Sequence, residues 1–143
     1  MKKARVRTLK KSVWICGAII LAVVVLSGVI YLRNGKVNMD LVKSAEACFQ
    51  YGDTDAKSQL SDKDLETVKA IFNGKKLHKD TPNCYFSDAA SIKFDNGQAF
   101  CIAQDTCPIV CWKEKDKYIE LTENEKNQLY KLLEPYGFTF PCL

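Results

Sequence analysis

Between Val13 and Leu32 the chain runs for 20 residues without a charge, VWICGAIILAVVVLSGVIYL, and everything else is arranged on either side of this stretch. As a helix, 20 residues rise about 30 Å, the thickness of the hydrocarbon core of a bilayer. Twelve of them are Val, Ile or Leu. At roughly −0.3 to −0.6 kcal/mol each, their insertion is favoured by about 4 to 7 kcal/mol, and nothing ionised opposes it. Trp14 and Tyr31 stand near the two ends, where amphipathic rings prefer the headgroup region. A small soluble domain rarely buries an apolar helix on every face, so residues 13–32 read as a transmembrane helix.

The flanks orient it. Lys2, Lys3, Arg5, Arg7, Lys10 and Lys11 precede the stretch without an acid, whereas only Arg33 and Lys36 follow closely. The positive-inside bias places the tail, residues 1–12, in the cytoplasm and the C-terminal part outside the cell membrane. A cleaved signal peptide is the rival reading, but its apolar core is shorter, about 7–15 residues. Tyr31, Leu32 and Arg33 also lack the small side chains of a cleavage site. Leu26-Ser27-Gly28 matches the start of a bacterial lipobox, yet Val29 stands where the lipid-bearing cysteine belongs. Ala18 and Ala22 form a small-xxx-small pair of the kind found on helix-dimer faces, a spacing common by chance in such a span.

The net charge of +4 hides an asymmetry. The tail carries six cations, whereas the chain beyond Arg33 has 14 Lys against 17 acids, a balance of −3. The basic tail suits anionic lipid, and nothing in the outer part suits nucleic acid. Residues 33–39 read as a linker, and residues 40–143 as one extracytoplasmic domain of modest size.

In that domain, Ala45, Ala47, Phe49 and Tyr51 recur at spacing two and predict a strand, with a continuation of the membrane helix through Asp40–Phe49 as the alternative. A short strand over Ala56–Leu60 follows the Gly52-Asp53 turn. Ser61 caps a helix whose Leu65, Val68, Ile71 and Phe72 share a face, and Asn73-Gly74 ends it. Ser91–Phe94 and Gln98–Ala103 form a hairpin. A three-residue loop pairs Ile92 with Phe100 and gathers the apolar residues on one face. Ile109–Lys113 and Lys117–Leu121 form another, placing Val110 and Trp112 beside Leu121 and Ile119. Thr122-x-x-Glu125 is a capping box, followed by Leu129, Leu132, Leu133 and Tyr136 at helical spacing and a stop at Gly137. The apolar tail from Phe138 docks on the core. The class is α+β: an antiparallel sheet of about four to six strands with two helices on one face.

Cysteine carries whatever chemistry the chain has. Of seven, Cys16 lies in the apolar stretch and Cys48, Cys84, Cys101, Cys107, Cys111 and Cys142 lie beyond it. An even number in an exported domain points to disulfides. If the strands around Gln104–Pro108 pair about Thr106, Cys101 lies opposite Cys111 at disulfide distance. Cys84 with Cys107, and Cys48 with Cys142, are then the remaining pairs. The rival is a zinc site on Cys101, Cys107 and Cys111, with Cys84 or His78 completing four ligands, although the paired C-x2-C spacing of zinc modules is missing. A redox-active thiol is the third reading, without a C-x-x-C motif to support it. His78, in a Lys-rich connection, reads as solvated. Asp88, Asp95 and Asp105 fall in predicted turns, where Asp is common. No G-x-S-x-G, H-E-x-x-H, P-loop or Rossmann glycine pattern occurs.

The stretches LSDKDLETVKAIFNGKKLHKDTPNC and LTENEKNQLYKLLEPYGF resemble small uncharacterised membrane-anchored proteins of Gram-positive bacteria across most of residues 44–140. The resemblance implies an exported α+β domain on a bacterial membrane and transfers no activity or site residue. The expectation is a non-catalytic binding or sensing module, needing no cofactor, that meets the bilayer and an envelope protein or extracytoplasmic ligand. A cysteine-dependent metal or thiol redox protein is the alternative.

Overall fold

The computed structural model describes residues 18–28, 35–80, 82–105 and 107–140. The chain divides into two compact units between Gly35 and Lys36. In the first, residues 18–28 form helix α1, and all of them are exposed. Ser27 Oγ donates to the carbonyls of Val23 (2.8 Å) and Val24 (3.0 Å), so the hydroxyl is satisfied within the helix. The tail expected to be cytoplasmic, residues 1–12, and the rest of the expected span, residues 13–17 and 29–32, lie outside the described residues. Among the described residues, no helix is long and apolar enough to cross a membrane.

The second unit is α+β, with a six-stranded antiparallel sheet in the order β2-β1-β3-β4-β5-β6. The strands are β1 (Ala45–Tyr51), β2 (Thr54–Gln59), β3 (Ala90–Phe94), β4 (Ala99–Ile102), β5 (Ile109–Trp112) and β6 (Lys117–Glu120). Helix α2 (Asp62–Phe72) lies between β2 and β3 in the chain, and α3 (Glu123–Leu133) follows β6. Lys36–Met39, expected as linker, belongs to this fold. Val37 and Met39 are buried, and Val37 exchanges backbone hydrogen bonds with Lys75 and Gly74.

Over residues 45–49 a strand forms, and the membrane-helix alternative is excluded there. Period-two alternation turns Ala45, Ala47 and Phe49 to the core, and β1 pairs on both sides, with β2 and β3. The β3–β4 hairpin has the expected register, Ile92 opposite Phe100, with Gly97 left-handed at φ 82°. The β5–β6 register differs from expectation by two residues: Val110 faces Ile119, and Trp112 faces Lys117. A 3₁₀ turn over Lys113–Lys115, closed by left-handed Asp116 (φ 47°), brings the strands together sooner. An even slip leaves each side chain on its face, so the core is preserved.

Both helices pack on the face bearing Ile92, Phe100, Val110, Trp112 and Ile119. Helix α2 buries Leu65, Val68, Ile71 and Phe72; α3 buries Leu129 and Leu133. Rings surround Phe100: Phe72 at 5.1 Å, Trp112 at 5.3 Å and Phe94 at 5.7 Å between centroids. The tail docks through Phe138, 4.8 Å from Phe49, and Phe140, stacked on Tyr130 at 4.1 Å.

The capping box at Thr122 and Glu125 forms as expected, and Lys75 Nζ reaches Glu125 at 2.6 Å. Tyr136 lies in a 3₁₀ turn after α3, stopped by Gly137 at φ 90°. From there its hydroxyl donates to Asp64 Oδ2 (2.6 Å) and accepts from the Ser61 amide (3.0 Å), tying the start of α2 to the end of α3. The Tyr136 and Ser61 hydroxyls hold the Asp64 carboxyl below its ordinary pKa. Burial pushes Glu125 up, but donors from Lys75 and Thr122 outweigh it and leave it lowered. Carboxyls depressed in the folded state stabilise it above their unfolded pKa, about 4, and lose that contribution as pH falls through the folded value. Tyr136→Phe is therefore expected to cost about 1–2 kcal/mol at pH 7. Urea denaturation at pH 7 and pH 3 checks this, with the difference from wild type shrinking at the lower pH.

Candidate functional site

Side chains alternate across a strand, so each strand offers its other residues to the face away from the helices. On that face one row of directly opposed residues crosses the whole sheet. It runs Lys57, Cys48, Ser91, Cys101, Cys111, Tyr118, from β2 to β6. An isolated bridge from Tyr118 extends the row to His78. Three thiols, three hydroxyl- or amine-bearing side chains and an imidazole thus share one line. Cys101 and Cys111 are immediate neighbours, and Ser91 separates Cys48 from them.

Residues 82–89 lie over this face as a strap between the His78 bridge and β3. The Phe86 ring packs on Tyr118 at 5.7 Å. The Tyr85 carbonyl accepts from the Gln104 amide (3.2 Å), and the Asp88 carbonyl accepts from Ser91 Oγ (2.9 Å). Asp88 pairs with Lys113 through one carboxylate oxygen and accepts from Cys101 Sγ through the other at 3.7 Å. A disulfide from Cys84 to Cys107 fixes the strap to the β4–β5 loop. Asp105 Oδ1 accepts from the Cys107 amide (2.8 Å), and the Tyr130 hydroxyl reaches the Asp105 carbonyl (3.1 Å) from α3.

Burial dominates the electrostatics of the thiols. Cys101, 3% exposed, is pushed up to about 12 by burial and then by the Asp88 charge and its neighbour Cys111. Cys111, half-buried, is raised by burial and by Asp116 and Glu114. Cys48 is raised by burial and by its hydrogen bond to Glu46 Oε2 (3.4 Å). All three are thiols at neutral pH. The bond from Lys113 holds the Asp88 carboxyl below its ordinary range, and Lys113 is raised in return.

The cysteines meet the sequence expectations unevenly. Cys84 and Cys107 are joined. Cys101 stands opposite Cys111 in the expected register, yet both thiols are free. Cys101 Sγ instead donates to Asp88 of the strap. Cys142 lies outside the described residues, and Cys48 is a free thiol. The expected four-cysteine zinc set is split: Cys84 of the strap is bonded to Cys107 of the β4–β5 loop, whereas Cys101 and Cys111 lie in the strand row. Among the described residues, the ligand atoms within 4.8 Å of one another belong to Cys84, Asp105 and Cys107. Two of those sulfurs are spent in the disulfide, whereas a metal needs thiolates.

His78 is partly exposed, and its backbone pairs with Tyr118 in both directions at 2.9 Å. With Asp80, Pro82, Ile109, Tyr118 and Glu120 it lines a shallow groove of about 220 Å³ beside the strap. Sequence reasoning missed this groove, since residue 78 extends the sheet only after β6 is in place. Asp95 and Asp105 serve turns, Asp95 accepting from the Lys43 amide (3.1 Å). Asp88 alone of the three touches a thiol. The chain matches no protein family, and no curated protein or solved structure is similar to it.

Two outcomes follow from this arrangement. The Cys84–Cys107 bond spans 23 positions, so replacing both residues with Ser is expected to cost about 3 kcal/mol in urea denaturation. Asp88→Asn removes a charge and an acceptor from beside Cys101. The alkylation profile of that thiol, followed by peptide mass against pH, is expected to move to lower pH.

Proposed function

We propose that the protein is a single-pass membrane protein, N-terminus in the cytoplasm, whose outer domain is a non-catalytic binding module. The groove beside the strap is its recognition surface, for an envelope protein or an extracytoplasmic ligand. The observation that carries this reading is the Cys84–Cys107 disulfide, which belongs to an oxidising compartment. It occurs in a chain whose uncharged stretch, Val13–Leu32, follows six cations. Helix α1 adds support: Ile19, Ile20, Leu21 and Val23–Leu26 are each more than half exposed, an apolar surface that lipid would cover. Binding is favoured over chemistry because the row thiols are held protonated and Asp88, Asp95 and Asp105 are engaged in hydrogen bonds. The acidic balance of the outer part leaves nucleic acid aside as a partner. The juxtaposition of Cys101 and Cys111 favours a second reading, thiol redox chemistry, over zinc binding.

The test uses bacterial spheroplasts producing the full chain with a C-terminal epitope. The chain is expected to stay in the membrane through a carbonate wash, and added protease is expected to remove the epitope from sealed spheroplasts. Release by carbonate, or an epitope protected until the membrane is opened, overturns the topology. A photoreactive phenylalanine replacing Ile109 is expected to crosslink a partner in cells, and one replacing Lys57 at the far sheet edge is not. Equal crosslinking at both positions overturns the groove.

A further inference from the structure

The strap and the row meet at one pair of residues whose chemistry the binding reading leaves unused. Cys101 and Cys111 are directly opposed on adjacent antiparallel strands, on the face under the strap. Opposed residues have Cα atoms about 4.5–5.5 Å apart, inside the range a disulfide spans. Yet both thiols are free, while the neighbouring Cys84 and Cys107 are bonded. The two thiols differ in access. Cys111 is half-buried, beside the exposed turn at Lys113–Asp116, whereas Cys101 is 3% exposed and bonded to Asp88.

We propose that Cys101 and Cys111 form a thiol–disulfide exchange site for small organic disulfides, in which Cys111 attacks and Cys101 resolves. The Cys111 sulfur, on losing its proton, bonds to one sulfur of the external disulfide, and the other sulfur leaves as a thiolate. The Cys101 sulfur then loses its proton and bonds to Cys111 Sγ, expelling the second half as a thiolate. The two protons given up by the cysteines neutralise the two leaving thiolates. Two electrons pass from the protein thiols to the external disulfide, which is thereby reduced to two thiols. An excess of the reduced small thiol drives both steps backwards. The order of the cysteines follows from exposure, because a disulfide in solution reaches the half-buried sulfur and not the enclosed one. The raised thiol pKa values make exchange slow, since the thiolate is the attacking species.

The experiment treats the full chain, in detergent, with oxidised glutathione, quenches by alkylation and maps peptides by mass. The wild type is expected to gain a Cys101–Cys111 link and retain no glutathione there. Excess reduced glutathione is expected to reopen the link. Cys101→Ser is expected to hold one glutathione on Cys111, and Cys111→Ser is expected to leave Cys101 unmodified. Circular dichroism and melting confirm that each variant is folded, and Cys101→Ala replaces a Cys101→Ser chain that is not. Glutathione retained on wild-type Cys111, a link to Cys48 in place of Cys111, modification of Cys101 in Cys111→Ser, or a link that reduced glutathione cannot reopen overturns the proposal. The binding module is tested by topology and crosslinking, so either idea fails without the other.

Discussion

Phe100 sits where the domain's parts meet, and the rest of the architecture follows from burying it. Phe72 of α2 covers it, Trp112 and Phe94 flank it within the sheet, and its own exposure is 0%. Aromatic pairs at these separations add about 0.5–1.5 kcal/mol each beyond the area they bury. A ring so enclosed fixes which face of β4 is inner, and pairing then fixes the face of every neighbouring strand. The inner face of the sheet is closed by α2 and α3, so the outer face needs a different cover. Cys48, Ser91 and Cys101 are almost fully buried there although neither helix lies on that side. The strap supplies the cover for the β3–β6 half.

What holds the strap is decided by magnitude. The Asp88–Lys113 pair is more than half exposed at both side chains, so solvent screens it and it contributes little. The Phe86–Tyr118 contact adds a similar amount. The disulfide contributes about 3 kcal/mol by constraining the unfolded chain, so it dominates the strap's attachment. Asp88 matters more for what it does to Cys101. A carboxylate that accepts from a buried thiol opposes thiolate formation twice, by its charge and by binding the protonated form.

Local pattern and tertiary pairing were legible in the sequence to different degrees. The caps at Ser61 and Thr122, the helix faces and the Gly97 hairpin are written in short-range spacing, and they appear in the structure. The register of Cys101 against Cys111 followed from keeping Val110 and Trp112 inward. The β5–β6 slip was hidden because the 3₁₀ turn uses a left-handed Asp116, a conformation that Asp adopts only occasionally. The row of thiols was hidden for a longer-range reason. Cys48 joins it only because β1 inserts between β2 and β3, a pairing between segments about 45 residues apart that no local spacing encodes. The strap was not legible, because Cys84, Phe86 and Asp88 are held by partners on β4–β6 and the β4–β5 loop that lie about 13 or more residues further along the chain.

The two cysteine pairs show why proximity alone does not decide oxidation. Both can be bridged: Cys84 and Cys107 have Cα atoms 6.3 Å apart, and Cys101 and Cys111 are directly opposed on the sheet. Loop entropy separates them weakly, since closing about 24 residues rather than 11 differs by less than about 1 kcal/mol. Access separates them more, and burial, by raising the Cys101 and Cys111 thiols, slows their attack. Each pKa unit of elevation lowers the thiolate fraction about tenfold near neutral pH. Cys84 and Cys107 lie on loops and are both partly exposed, as Cys111 is, whereas Cys101 is enclosed. Cys101 reaches a partner only after Cys111 has been activated by something from outside. One small domain can therefore carry one pair as a strut and, on the proposal above, the other as a slow, responsive dithiol, with the strap's carboxylate setting how slow.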